Sequence, residues 1–280
     1  MLNCFSIDVE SFCESNIESF PIKPEYMHRA KQDYEVEKNT DSILGLLADQ
    51  NVKATFFFLG RIARDLPHVV RRVAVEGHEI GCHGFEHKRI FGLQPRVFEQ
   101  QLWEAKRSLE DSSGQPVYGF RAPDFSIIQS SIWALDILKE ACFVYDSSIF
   151  PFSFHDVYGI RETQQHIHTL ANGLIEWPLP TLELGGKRWP FGGGGYFRLY
   201  PLTLTQFCIS RLNRKQHPFM FYIHPYEVGS ILPRIREISA YRRFRHYYGC
   251  GKLSERLRRL CSKFCFAPAI TVLRQMGYTR

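Results

Sequence analysis

The chain has eight cysteines but no Cys-x-x-Cys pair. That absence argues against a zinc ribbon or a thioredoxin-type redox pair. Several of the thiols fall inside apolar segments, so they are read as reduced, mostly buried core fillers. No apolar run approaches the roughly 18 residues of a membrane span. No basic segment followed by an apolar stretch precedes the first strand-like run, which predicts no signal peptide and a cytoplasmic chain. No Gly-x-Gly-x-x-Gly follows that strand, which weighs against a dinucleotide site. No Gly-Lys-Ser/Thr follows the four glycines at 192–195, which weighs against a phosphate cradle and favours a flexible loop beside a binding groove. His78-Glu79 is not completed to a zincin motif, because Cys82 stands where the second histidine belongs. There is no fixed-period repeat and no clear domain boundary. The 280 residues are therefore read as one domain, 1–280, with a basic region at about 234–280. The net charge of 35 − 29 = +6 is too mild to indicate nucleic-acid binding.

What the chain does have is an alternation of strand-like and helix-like segments. Cys4-Phe5-Ser6-Ile7 reads as a strand, followed by a polar, irregular stretch to about Glu37. Thr40 and Asp41 offer N-cap chemistry for a helix carrying Ile43, Leu44, Leu46 and Leu47. Residues 54–59, a continuous apolar run, read as a strand buried on both faces. Residues 61–76 read as one helix stopped by Gly77, and Pro95 opens another. Further strands lead to His83, Arg121 and, through 219–223, to His224; 130–141 and 203–215 are helical, and 150–200 is less regular. Leu253, Leu257 and Leu260 form a helical stripe in the basic C-terminal segment. Alternating units of this kind imply a parallel sheet, open or closed into a barrel. Reactive residues just beyond several strands favour a barrel-like site.

Those residues form a coherent set. Asp8 and Glu10 are two apart on a strand and share a side. Adjacent carboxylates repel, and a divalent cation or an arginine would relieve them. His83 and His87 are four apart, so a helical turn or a tight loop can bring them together. Two imidazoles plus a carboxylate make a three-ligand catalytic zinc set with an open position.

The order Ser6-Ile7-Asp8-Val9-Glu10, His83-Gly84-Phe85-Glu86-His87, Arg121-Ala122-Pro123 and Ile223-His224-Pro225 resembles the polysaccharide deacetylase (NodB homology) family. GGGGYFRLYP ending at Pro201, His224-Pro225-Tyr226-Glu227 and Phe244-Arg245-His246-Tyr247 resemble its subfamily from exopolysaccharide loci associated with exosortase and PEP-CTERM systems. The resemblance covers essentially the whole chain and implies an α/β fold, the distorted (β/α)7-type barrel. It implies a metal-dependent N-deacetylase acting on an N-acetylated polysaccharide or its lipid-linked precursor. Asp8 would be the general base, Arg121 the group that orients it, and His224 the general acid. Glu10, His83 and His87 would hold a divalent ion, zinc by donor type. Val9 stands where the family usually places its metal-binding acid, and Glu10 is the nearest replacement. The backbone around Pro123 and Asp124 is expected to hold the oxyanion. The family's Asp-x-x-Trp motif is missing, so Trp177 is expected as its apolar wall, with Asp146 as a candidate partner for His224. Tyr196, Phe197 and Trp189 are candidates for stacking on sugar rings. The basic C-terminal segment suggests contact with an anionic glycan, a diphosphate-linked carrier or the inner-membrane surface. Two rival readings are an allantoinase-like cyclic amidohydrolase and a non-catalytic carbohydrate-binding relative.

Overall fold

Residues 1–152 and 163–280 are described by the computed structural model. Strand β1 (Leu2–Val9) is the hub of the sheet. It pairs in parallel with β2 (Thr55–Phe58) and β10 (Met220–Ile223), and its start also pairs with β11 (Cys265–Ala267). From β2 the parallel ladder continues through β3 (Glu79–Cys82), β4 (Gly119–Phe120), β5 (Tyr145–Asp146) and β7 (Ile175–Glu176). β6 (His168–Thr169) closes the row in antiparallel sense, and β8 (Thr181–Leu184) with β9 (Lys187–Pro190) forms a separate hairpin. Helices fill the crossovers, and the sheet curls into part of a barrel, the α/β architecture expected of the distorted (β/α)7 type.

Strand alternation divides the core in two. Phe5, Ile7 and Val9 of β1 join Phe56, Phe58 and Ile80 in the layer packed against the helices. Cys4 and Phe57 point the other way, into a smaller cluster with Tyr145, Trp177 and Met220. Each fully buried phenylalanine contributes roughly 1.5–3 kcal/mol. The same period of two puts Ser6, Asp8 and Glu10 on the inner side and Val9 among the helix-facing residues. Val9, the last residue of β1, packs in that helix-facing core.

Three sequence expectations need correction. The first helix after β1 and its short capped turn, Phe12–Asn16, begins well before Thr40: it runs Arg29–Asp49, and Thr40 is buried in mid-helix. Its buried face is partly polar, which hides the apolar period. Glu35 accepts the Phe12 N–H, and Asn39 brackets the backbone of Ile231. Residues 61–76 form two helices, Gly60–Asp65 and Pro67–Val75, because Leu66 before Pro67 is held out of the helical region (φ −131°, ψ 53°). Of the four glycines at 192–195, the first three are close-packing sites rather than a flexible loop, and Gly195 lines the cavity described below. A Cβ at Gly193 would strike the Tyr222 ring, and one at Gly194 would strike the Glu227 carboxylate. Of the stretch 150–200, residues 153–162 lie outside the described residues. All eight cysteines are free; Cys4, Cys13, Cys82 and Cys208 are buried as expected, whereas Cys142 and Cys265 are exposed. Among the described residues no helix is long and apolar enough to cross a membrane.

Candidate metal and catalytic site

The C-terminal ends of β1, β3, β4 and β10 converge on a cavity of about 410 Å³. Asp8, Glu10, His83, His87, Asp124, Tyr196 and His224 line it. Open ends of parallel strands are where such folds place chemistry, because ladder bonding stops there and side chains are free to turn inward.

His83 directly follows β3, and its backbone N–H bonds the Phe58 carbonyl (2.8 Å). His87 reaches the same spot through a loop that turns at Gly84, whose φ of +82° suits glycine. The first N–H groups of helix Gly60–Asp65 have no partners within the helix. They bond the loop instead, Gly60 N to Gly84 O (2.8 Å) and Arg61 N to Phe85 O (3.0 Å). Neighbouring backbone thus holds the loop that carries His87.

Glu10 Oε2 lies 3.0 Å from His87 Nε2 and 3.6 Å from His83 Nε2. One ligand atom from each of the three residues lies within 4.8 Å of the others, and all three residues are buried. His83 Nδ1 faces the Arg121 carbonyl at 2.8 Å, and a carbonyl only accepts. Nδ1 therefore carries the proton, and Nε2 presents its lone pair toward Glu10. Glu10 Oε2 and His87 Nδ1 are buried with no hydrogen-bond partner among the described residues. Burial works against the Glu10 charge, but the His87 charge and a hydrogen bond from His224 hold it well below the usual carboxylate range. Burial likewise opposes charge on His87, and Glu10 outweighs it, raising that imidazole to about 9. A buried carboxylate drawing this much positive charge, beside an oriented imidazole lone pair, fits a divalent cation of the zinc type.

Asp8 sits beside this cluster. Arg121, fully buried, donates from Nη1 to Asp8 Oδ1 at 2.6 Å. The same nitrogen bonds Ser6 Oγ (2.9 Å), and the guanidinium lies 4.3 Å over the Phe57 ring. On the opposite side, His224 Nε2 is 3.3 Å from Glu10 Oε1, and its Nδ1 is 3.3 Å from Glu227 Oε2. Burial again opposes the charge, and Glu10 and Glu227 together push His224 up to about 10. Tyr226 stacks on the imidazole, with ring centroids 5.0 Å apart and planes 11° off parallel.

Glu227 is the partner that sequence reasoning missed. It sits at the N3 position of helix Pro225–Val228, whose N-cap is His224, and it also accepts the His224 backbone N–H (3.0 Å). Arg198 Nε donates to its other oxygen at 2.8 Å. Pro225 at N1 and Glu227 at N3 are a readable helix-start signal. Asp146 is not the partner. It accepts hydrogen bonds from Ser148, and its charge, with burial, pushes the neighbouring Glu176 carboxyl far up.

Other expectations divide. Asp124 lines the cavity, in left-handed backbone (φ +51°), with its carboxylate tied to Arg89 at 2.7 Å. Pro123 starts the turn before it and is not among the lining residues. Trp177 does not wall the cavity: it is buried with Tyr145 and Met220 in the inner core. Phe125, Tyr222 and Tyr226 supply that wall. Phe197 is fully buried against Phe221, and Trp189 stands exposed on the separate hairpin, so neither faces the cavity.

Comparison with known proteins bears on the family and the fold. Residues 31–139 match the family model described as "Polysaccharide deacetylase", and 147–274 match one described as a domain of unknown function, DUF3473. Over residues 31–139 the chain is therefore similar to the polysaccharide deacetylase family. A chitooligosaccharide deacetylase of Sinorhizobium fredii is 34% identical over 100 residues, covering 35% of this chain and 44% of that protein. The chain spans less than half the length of the curated relatives it matches first. A putative polysaccharide deacetylase from Mycobacterium smegmatis shares the fold with a TM-score of 0.66 and 21% identity, over 97% of this chain and 88% of that one. Puue allantoinase shares it with a TM-score of 0.65 and 16% identity, over 99% and 90%. These two likenesses speak to the deacetylase fold alone.

Proposed function

We propose that this cavity is a metal-dependent N-deacetylase site for N-acetylated amino sugars of a polysaccharide or its lipid-linked precursor. The observation that carries the reading is the buried Glu10–His83–His87 set beside the Asp8–Arg121 pair, with His224 across the cavity. Two imidazoles and one carboxylate suit zinc and leave a coordination position open. When bound there, a divalent ion would polarise the amide carbonyl and acidify the attacking water. Asp8 takes the proton of that water, and Arg121 fixes the carboxylate through its 2.6 Å bond. The backbone N–H at Asp124, on the cavity wall, is the donor assigned in this reading to the developing oxyanion. His224 gives its Nε2 proton to the departing nitrogen, while Glu227 holds Nδ1–H and so sets the ring. The products are acetate and a free amino sugar.

Tyr241 and Phe244 at the cavity edge are 71% and 53% exposed, and this open rim supports a polymer over a small cyclic amide. The test is acetate release from N-acetylglucosamine oligosaccharides with and without chelator, combined with elemental analysis. Chelator-sensitive release is expected. Asp8→Asn should stop release yet keep the metal, whereas Glu10→Gln should lose both. No chelator-sensitive release across a broad panel of N-acetylated oligosaccharides would reject the reading.

A further inference from the structure

The helix Ala240–Tyr247 lies at the mouth of the cavity, in the region matched only by the domain of unknown function. Tyr241, Phe244 and Arg245 stand at i, i+3 and i+4, so they share one helix face, and all three line the cavity. A helix with no buried residue would ordinarily be loosely held, but this one is anchored. Arg198 donates to the carbonyls of His246 (3.1 Å) and Tyr248 (2.7 Å) at its C-terminal end. Ser239 caps its N-terminus, and the Tyr247 hydroxyl bonds Ile235 N (2.9 Å) and Pro233 O (2.8 Å). The exposed aromatics are thus presented on a fixed support, the arrangement that lowers the entropic cost of binding.

Charge accounting shows what the face would bind. Asp8, Asp124 and Glu227 on the cavity wall are paired with Arg121, Arg89 and Arg198, and Glu10 is surrounded by histidines. Arg245 is the one lining Lys or Arg without an acidic partner within 4 Å among the described residues. His246 beside it is held neutral, its imidazole lowered to about 4 by burial and by Arg245, Arg198 and Arg242. The mouth therefore offers two aromatic faces and one uncompensated guanidinium.

We infer that Tyr241, Phe244 and Arg245 form a subsite for an acidic sugar adjoining the N-acetylated residue. The aromatic rings stack on the apolar face of a pyranose, and Arg245 pairs with its carboxylate. The inference rests on the deacetylase reading and narrows its substrate to an acid-bearing glycan. A planar guanidinium matches a carboxylate with two parallel N–H donors, which a lysine cannot do.

The decisive comparison is kcat/KM on neutral N-acetylglucosamine oligosaccharides against oligosaccharides alternating N-acetylhexosamine with hexuronic acid. Arg245→Gln should lower the acidic-to-neutral ratio about tenfold, as expected for losing one charged hydrogen-bonded pair. Arg245→Lys should recover part of it. Arg242→Gln, on the same helix but outside the cavity lining, should leave the ratio within about twofold, since it makes no contact in the cavity. A ratio unchanged by Arg245→Gln overturns the subsite and leaves the deacetylase reading standing. Calorimetric titration with oligogalacturonate, which carries no N-acetyl group, separates the two claims: binding weakened about tenfold by Arg245→Gln supports the subsite even if no acetate is released. Loss of binding to phosphatidylglycerol vesicles in Arg245→Gln, with oligogalacturonate binding unaffected, would instead assign the face to a membrane and overturn the proposal.

Discussion

The Asp8–Arg121 pair makes a prediction whose size follows from its burial. The guanidinium is fully buried and Asp8 is 2% exposed, so neither charge can turn to water when the other is removed. Breaking a buried pair of this kind costs about 3–5 kcal/mol, most of it the penalty of the stranded charge. Arg121→Met strands Asp8 and removes the bond to Ser6, but its sulfur regains some contact with Phe57, about 0.3–1.5 kcal/mol. The expected loss is therefore about 3 kcal/mol. Asp8→Asn keeps an acceptor 2.6 Å from Nη1 and leaves Arg121 with Ser6 and Ser147, so it costs less, about 1–2 kcal/mol. In the double variant no charge is stranded, and the loss should fall short of the sum by at least about 1.5 kcal/mol. Urea unfolding of the four proteins measures this, provided fluorescence and circular dichroism give coincident transitions. Additivity within about 0.5 kcal/mol would refute the claim that each residue's chief structural role is to neutralise the other.

Glu227→Gln keeps the shape of the His224 support but removes the charge facing Nδ1–H and Arg198. Steady-state kinetics should show kcat lowered about 10–100-fold with KM nearly unchanged and metal content intact, and Gly194→Ala, whose Cβ would strike the Glu227 carboxylate, should act in the same direction. An equal loss in kcat and metal content would instead make Glu227 part of the metal support. A third expectation concerns His78, whose Nδ1 accepts the Ala54 N–H (3.1 Å) and whose imidazole is lowered to about 4 by burial and Lys53. Its folded form resists protonation more than the unfolded one, so stability should be full above pH ~6.5 and decline as pH falls toward 4. The decline amounts to about 2–3 kcal/mol. Denaturation midpoints for wild type and His78→Asn between pH 7 and 4 check this, and identical pH slopes would refute it.

What was legible in the sequence was whatever the local period determines. On β1 a two-residue repeat sends Phe5, Ile7 and Val9 to the helices and Asp8 and Glu10 to the cavity. His83, Arg121 and His224 were visible because each follows a short apolar strand whose end faces the cavity. What escaped was settled by contacts between distant segments. The early start of the helix at Arg29 was hidden because Glu35 and Asn39 turn inward to backbone partners 23 and 192 residues away. Trp177 looked like a cavity wall by residue type, but its place in β7's continuation turns it into the core with Met220. Glu227 falls between these cases. Its N3 position was written locally, three residues after the N-cap His224, but its second partner Arg198 lies 29 residues upstream, beyond any local pattern. The glycines before Arg198 remove the side chain that would block that approach. The same arginine ties Glu227, the support of His224, to the helix carrying Tyr241, Phe244 and Arg245. The rim helix and the carboxylate that contacts His224 thus share one buried guanidinium as their anchor.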